Sequence, residues 1–554
     1  MVAGCWDVDW TSGNYGSLRN FYITILEGLV PNTRPLGIQI AYLLKDLGVD
    51  VVFGIPGVHN QEMYRGLEEA GIVHILARHE QGAGFMADGY ARATGKAGVA
   101  FVITGPGLCN IMTPMGQAYS DSIPMLVISS CLDDVVARRG QLHQMKNQRA
   151  AAETVCDWSE EAQSAESTYA LIDRAMSEFQ MNRPRPKHIQ IPIKQLKEPA
   201  SLYAKRDWTN ISWEIPAIEM NEVVTLLIKS KRPVLVLGGG AIEAVTEVRA
   251  FLKICNAAVF TTYAGRGIVD TTYNFLFGSN LARPTSSNVL AKADLVIAVG
   301  TELGEVDLWR EELGHTARLV RVDVDISSQN QYSDLFIHCA AKNFFAALAM
   351  RVSTNKTQWS SNEVANARRK WRREVGVEQP EIIKVCDAVR TCLPKNTMIY
   401  SDMTQLAYSA KEIWDMDMPS HWHHPSGFGT LGYALPAAIG GAISRRGLPT
   451  IAIVGDYGFQ FTMQELAVAV ELRLSLPVLL WNNGKLGEIE DSMIRAQIAP
   501  NAVTTHNPDF CKLAKAFGAK STSPKTVTEM QKEVLAAFNK SGPTLIHITP
   551  EIKA

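Results

Sequence analysis

From Pro35 onward the chain repeats one pattern: a short apolar run, ended by Gly, Pro or Ser, followed by a helical stretch. VVFGIP at 51–56, AFVITGPG at 100–107 and PMLVISS at 124–130 are the first examples. Strands that are apolar throughout need cover on both faces. When they alternate with helices, a parallel sheet wrapped by those helices supplies it. A second series runs through 232–240, 293–301 and 319–325, and a third through MIYSD at 398–402, TIAIVGD at 450–456 and PVLLWNN at 477–483. A polar stretch near 195–215 and a charged helical segment around 358–377 separate the series. The expected fold is therefore α/β, with three doubly wound parallel-sheet domains at 35–200, 215–355 and 375–554. A chain of 554 residues exceeds one core, which agrees. The first and third blocks match in size and layout, so they read as a related pair flanking a middle domain.

Composition narrows the function classes. The net charge of −2 favours neither nucleic acid nor an anionic membrane as partner. The basic run at 367–373 reads as one face of a solvated helix. No apolar run approaches the roughly 18 residues of a membrane span. Residues 1–34 lack the basic flank and apolar centre of a signal peptide and read as an extension of unclear purpose. Nine scattered cysteines without a CxxC pair fit reduced, mostly buried thiols, so cytoplasm is the expected compartment. GGGA at 238–241 follows a strand but lacks the full dinucleotide fingerprint, and reads as a tight strand-to-helix turn.

The chemistry concentrates in two segments. The run TIAIV delivers Gly455 and Asp456 to the carboxyl end of a parallel strand, where doubly wound sheets bind ligands. Thr462-Met-Gln-Glu465 reads as a capping box opening the helix ELAVAVELR, whose free N–H groups attract phosphate. One strand later come Asn482 and Asn483. Asp and Asn oxygens, a backbone carbonyl and phosphate oxygens together suit octahedral magnesium. In the first block, RHEQGAGFMADGYARATG places Gly82, Ala83, Gly84 and Ala87 close together, suited to packing one backbone against another. Glu80 would then be buried, where a carboxyl group can exchange protons near neutral pH.

These segments, GDYGFQFTMQELAVAVELRLSLPVLLWNN and RHEQGA, resemble the thiamine diphosphate enzymes that decarboxylate or condense 2-oxo acids. The resemblance runs from about residue 35 to the C-terminus. It implies pyrimidine, central and diphosphate domains, with thiamine diphosphate and Mg2+ as cofactors. Magnesium would be held by the side chains of Asp456 and Asn483 and the carbonyl of Lys485. Glu80 would bond the aminopyrimidine ring, and Leu431, in GFGTLGY, would be the wedge that bends the cofactor. Further cofactor contacts would come from Pro56, Thr404, Gln405, Gly429, Gly455, Tyr457, Gly458, Leu486 and Gly487. Tyr457 departs from the family, which usually has Gly, Ala or Ser there. An L-residue backbone suffices at that position, so the constraint is steric and the phenol must point away from the diphosphate. The family places Glu80 and Asp456 of one site on different subunits. A homodimer is then the minimum and a homotetramer the expected assembly.

Within the family, FGIPGVHN, SDMTQLAYS and WHHPSGFGTLGYALPAAIG resemble 5-guanidino-2-oxopentanoate (2-ketoarginine) decarboxylase most. His59, His143 and Gln144 are the further catalytic candidates. His424 and Glu488 are the substrate candidates, since a guanidinium needs an anion or flat acceptor. The expected partner is a small 2-oxo acid, with neither nucleic acid nor membrane. Two alternatives stay open. One is a carboligase of the acetolactate synthase type, which carries a flavin. Residues 220–350 hold no flavin signature, so FAD is not favoured. The other is a catalytically silent subunit whose Tyr457 blocks the cofactor, against which the set Glu80, Asp456 and Asn483 argues.

Overall fold

The computed structural model describes residues 33–134, 139–204, 213–330, 332–353 and 357–553. The reading of residues 1–34 as an extension lies outside them, apart from Thr33 and Arg34. Three six-stranded sheets follow one another along the chain, each wholly parallel and each near one of the three series of apolar runs. In the first the strands lie in the order Val73–Leu76, Val51–Gly54, Gly98–Val102, Met125–Cys131, Lys187–Pro192, Trp158–Glu161. Its direction of winding reverses between Val51–Gly54 and Gly98–Val102. In the second sheet the reversal falls between Pro233–Leu237 and Leu295–Val299, and in the third between Met398–Ser401 and Thr450–Gly455. Each reversal opens a crevice at the carboxyl ends of two adjacent strands, the place where such sheets take ligands.

The helix Glu80–Thr94 of the first domain lies against the helix Ala434–Ser444 of the third. Their backbones touch. A Cβ on Gly89 would stand 2.0 Å from the Ala437 carbonyl oxygen, and one on Gly440 would stand 2.0 Å from that of Met86. Gly89, further along the same small-residue segment, makes this contact with a helix more than 300 residues away, whereas Gly82 packs on the Glu465 side chain and Gly84 on those of Pro114 and Ile111. Around this contact the cores of the two domains run together, with Phe85, Tyr400 and Tyr433 among the shared buried side chains.

Two local expectations are corrected or refined. Thr462 and Glu465 do not form a capping box. A helix already begins at Asp456–Thr462, Thr462 makes no side-chain cap, and both side chains serve distant segments. The Thr462 hydroxyl donates to the Gly432 carbonyl at 2.7 Å, and the Glu465 carboxylate accepts from the Arg78 amide at 3.1 Å. The basic run in the helix Ser361–Glu378 does present a solvated face, with Arg369, Lys370, Arg372 and Arg373 exposed, and two of its arginines pair across it, Arg368 with Asp415 and Arg372 with Asp387. The GGGA turn is explained by packing: a Cβ on Gly238 would meet the Gly300 carbonyl at 2.2 Å. No helix among the described residues is long and apolar enough to cross a membrane.

Candidate active site

At the crevice of the third sheet, Gly455 ends its strand and caps the helix that starts with Asp456. A Cβ on Gly455 would lie 3.1 Å from Thr404, at the end of the neighbouring strand, and one on Gly487 would lie 2.7 Å from the Gln405 amide oxygen. Asp456 Oδ2 accepts from the Gly484 amide at 3.0 Å, and Asn483 Nδ2 donates to Gln405 Oε1 at 3.0 Å. Thr404, Gln405, Gly455, Asp456, Asn483, Lys485 and Gly487 are thus brought to one place. Leu486 caps the helix Gly487–Arg495, its amide donating to the Val503 carbonyl at 2.8 Å. Burial pushes the Asp456 carboxyl up, and Asn507 is the first of the donors that pull it back. Asn507 escaped the sequence reading. It donates to Asp456 at 2.6 Å and to Asn482 at 2.9 Å, tying the two strand ends together. Among the described residues no three His, Cys, Asp or Glu side chains cluster around a metal position. The donor set expected for Mg2+ contains only one carboxylate; Asn483 Oδ1 accepts from the Lys485 amide at 3.3 Å, and the Gly484 amide between those two residues donates to Asp456.

Tyr457 is helical, and its ring packs on Phe461 one turn on, with centroids 5.6 Å apart. The phenol therefore runs along the helix. Tyr457→Gly is expected to change the thiamine diphosphate dissociation constant by less than about threefold, well under 1.4 kcal/mol. A tenfold tightening in a fluorescence titration would place the ring against the diphosphate instead.

The loop that carries Leu431, the expected wedge, is pinned from three sides. Gly432 donates to Asp402 Oδ2 at 3.0 Å, Thr430 donates to Gln117 at 2.8 Å, and Gly427 donates to Asp121 at 2.9 Å. Leu431 is left half-buried. Gly429 sits at φ +68°, a left-handed backbone that glycine adopts freely. Asp402, another residue missed from sequence, is fully buried, and burial raises its carboxyl to about 6 against the backbone amides it accepts from. A Cβ on Gly458 would stand 2.9 Å from it, so Asp402 touches both the loop that carries Leu431 and the Asp456 helix.

At the crevice of the first sheet, Glu80 opens its helix and is 8% exposed. Asn110 Nδ2 donates to its Oε2 at 2.9 Å, and a Cβ on Gly107 would come within 3.4 Å of its Oε1. Pro56 begins the turn between Val51–Gly54 and His59. Asn60 fixes that turn by accepting from the Gly57 amide at 2.7 Å. His59 and His143 meet edge to face with centroids 4.9 Å apart, and Nδ1 of each is buried without a partner. Burial lowers the His59 pKa, and His143 lowers it further. Gln144 turns back into its own loop, accepting from the Gln141 amide at 3.1 Å. His424 lies apart from this pair, buried beside Ser401 and Tyr408. Glu488 meets Arg495 at 3.3 Å with nearly half its side chain exposed.

Glu465 reaches the same helix start as Glu80. Burial pushes its carboxyl to about 7 from an ordinary 4.5, against the amides of Arg78 and His79. Its folded pKa is raised, so its stabilising share is full below about 4.5 and is lost as pH rises through about 7. Thermal midpoints of the wild type should therefore decline across that window, by the equivalent of about 3 kcal/mol. Glu465→Gln, neutral throughout, should flatten the decline; an unaltered slope would assign it to other groups.

Three family models cover the chain in order. They are the N-terminal thiamine pyrophosphate binding domain at residues 35–151, the central domain at 220–348 and the C-terminal thiamine pyrophosphate binding domain at 402–548. The chain belongs to the thiamine pyrophosphate enzymes. Among relatives of this family, a probable 2-ketoarginine decarboxylase from Pseudomonas aeruginosa is 39% identical, over 98% of this chain and 97% of its own. The large subunit of acetolactate synthase isozyme 2 from Escherichia coli is 28% identical, over 92% of this chain and 94% of its own. That of isozyme 1 is 27% identical over 92% of each. In thiamine pyrophosphate enzyme terms, the Glu80 crevice belongs to the N-terminal binding domain, and the Asp456 crevice to the C-terminal one.

Proposed function

We propose that the chain is a thiamine diphosphate- and Mg2+-dependent decarboxylase of 2-oxo acids. Its substrate is 5-guanidino-2-oxopentanoate, converted to 4-guanidinobutanal and CO2 with uptake of one proton. The observation that carries the reading is the assembly of two complementary crevices. One holds a buried carboxyl group with one oxygen unbonded, and the other an Asp–Asn pair at a strand end. Similarity to the Pseudomonas protein over nearly all of both chains supports the substrate.

When bound, the cofactor supplies the carbon nucleophile and electron sink that make loss of CO2 from a 2-oxo acid feasible. Asp456, Asn483 and the Lys485 carbonyl would hold magnesium, with Thr404, Gln405, Gly455, Gly458, Leu486 and Gly487 around the diphosphate. Leu431 and Gly429 would set the bend, and Pro56 would close the pyrimidine end. Glu80 holds the exchangeable proton at Oε1. The His59–His143 pair delivers the proton that replaces CO2 at the substrate's C2, and Gln144 supports the loop that carries His143. Glu80 and Asp456 of one site come from two subunits, so a homodimer is the minimal active form and a homotetramer the expected one. Domain limits at 35–200, 215–355 and 375–554 and a cytoplasmic location complete the reading.

A carboligase of the acetolactate synthase type is the second reading, favoured by the similarity to the Escherichia coli subunits. Release of CO2 from 5-guanidino-2-oxopentanoate and from pyruvate, each with and without thiamine diphosphate and Mg2+, separates the two. Cofactor-dependent release from the guanidino acid alone is expected. Release from pyruvate alone, with acetolactate as product, would replace the first reading by the second.

A further inference from the structure

Where the three domains meet, a cavity of about 360 Å3 is lined in part by Tyr263, Asp307 and His424. Of the three, only His424 is a substrate candidate from the sequence, and the mechanism above uses none of them. Ser401 Oγ lies 3.2 Å from the His423 carbonyl and 2.9 Å from His424 Nδ1; with its proton on the carbonyl, its lone pair faces Nδ1–H. His424 Nε2 then carries a lone pair, buried and without a partner. Burial holds this imidazole far below its usual range, so it is neutral. The Tyr263 hydroxyl is likewise buried and unpartnered, in a residue 5% exposed. The donors around the Asp307 carboxyl are the Tyr263 amide and, at longer range, Lys411.

Buried polar atoms without partners are costly, and a group of them opening on one cavity points to a ligand that satisfies them. Here the unmet atoms are His424 Nε2 and the Tyr263 oxygen, and the Asp307 carboxyl, held by the Tyr263 amide, lines the same cavity. All three can accept, so a ligand rich in donors suits them. A cation already stands beside them: Lys411 Nζ lies 4.4 Å from the Tyr263 ring centre and 5.3 Å from that of Tyr408. Burial draws that ammonium down to about 8, so it can release its proton when a second cation arrives. Arg266, stacked on Trp422, fixes the wall by donating to the Tyr263 and Lys411 carbonyls. One residue links the cavity wall to the candidate cofactor crevice. Tyr408 is one helical turn beyond Gln405, and its ring stands edge-on to His424 at 6.0 Å.

We propose that Tyr263, Asp307 and His424 form the receptor for the guanidinium tail of the substrate. Asp307 supplies the anion, His424 Nε2 and the Tyr263 oxygen accept further N–H groups, and the Tyr263 ring faces the cationic plane. This specificity site rests on the decarboxylase reading for its substrate, but it can be tested without turnover.

The test titrates 4-guanidinobutanoate, an unreactive probe with the same tail, into full-length holoenzyme by calorimetry. Wild type, Asp307→Asn and Tyr263→Phe are compared, with pentanoate as the neutral-tailed control. Asp307→Asn should weaken the guanidino probe by about 10- to 100-fold, and Tyr263→Phe by about 3- to 10-fold, with pentanoate within about twofold. Equal binding of the guanidino probe by wild type and both variants, or equal losses for both probes, would overturn the receptor. So would a wild type that does not bind the guanidino probe. Should Asp307→Asn fail to fold, Tyr263→Phe decides alone. If binding depends on Asp307 while no CO2 leaves the guanidino acid, the decarboxylase reading fails and the receptor stands.

Discussion

Glu80→Gln is expected to lower the rate of CO2 release by about a thousandfold while leaving the fold in place. General acid–base groups contribute on this scale. The argument rests on how the two carboxyl oxygens are used. Asn110 donates to Oε2, while Oε1 faces Gly107, where the absent side chain leaves an approach. Glutamine keeps the length, the helix-start position and an acceptor for Asn110, but it has no proton to exchange. The structural cost is small, about 1 kcal/mol at most, because the Asn110 hydrogen bond is kept. Steady-state decarboxylation checks the rate, and NMR of deuterium exchange at the cofactor's C2 checks the step. Slow exchange with an unchanged thermal midpoint is the expected pair of results. Unchanged turnover would refute the proton role and leave Glu80 as a helix-start residue only.

The frame around Glu80 was legible in the sequence because its signals are local. Apolar runs ending in Gly, Pro or Ser mark strands, and the ends of VVFG, AFV and TIAIVG lie where a doubly wound sheet must present its loops. Glu80, Asp456 and Asn483 could be found because they stand next to such ends. What escaped is what depends on distant partners. Thr462 and Glu465 have the spacing of a capping box, yet one is engaged by Gly432 and the other by Arg78, 387 residues away. A short helix had already started at Asp456, so no free amides remained for Thr462 to cap. Asp402 and Asn507 gave no local signal, because each acts by joining loops that only the fold brings together. His424 and Tyr263 were invisible as a pair for the same reason: they lie in different domains.

Gly440→Ala is expected to be the most damaging of the small substitutions, lowering stability by about 3 kcal/mol or more. Its Cβ would stand 2.0 Å from the Met86 carbonyl oxygen, a backbone atom that cannot rotate away. Either the helix Ala434–Ser444 or the helix Glu80–Thr94 must move. The first follows directly on the Leu431 wedge loop, and the second begins with Glu80. A shift of a few tenths of an ångström between them therefore displaces one residue in each of the two proposed sites that a chain contributes to, and turnover should fall together with the thermal midpoint. Gly376→Ala supplies the contrast. It makes the same chemical change inside the helix Ser361–Glu378, where a Cβ would meet nothing within 4 Å. That variant should gain about 0.5–1 kcal/mol, because alanine loses less backbone freedom on folding and extends the helix more readily. Opposite signs for the two variants, read as thermal midpoints of the holoenzyme, would tie the cost to the helix–helix contact. Equal small effects would mean that the two domains are free to separate at Gly440, and that the positions of Glu80 and Leu431 are set by something other than their shared backbone contact.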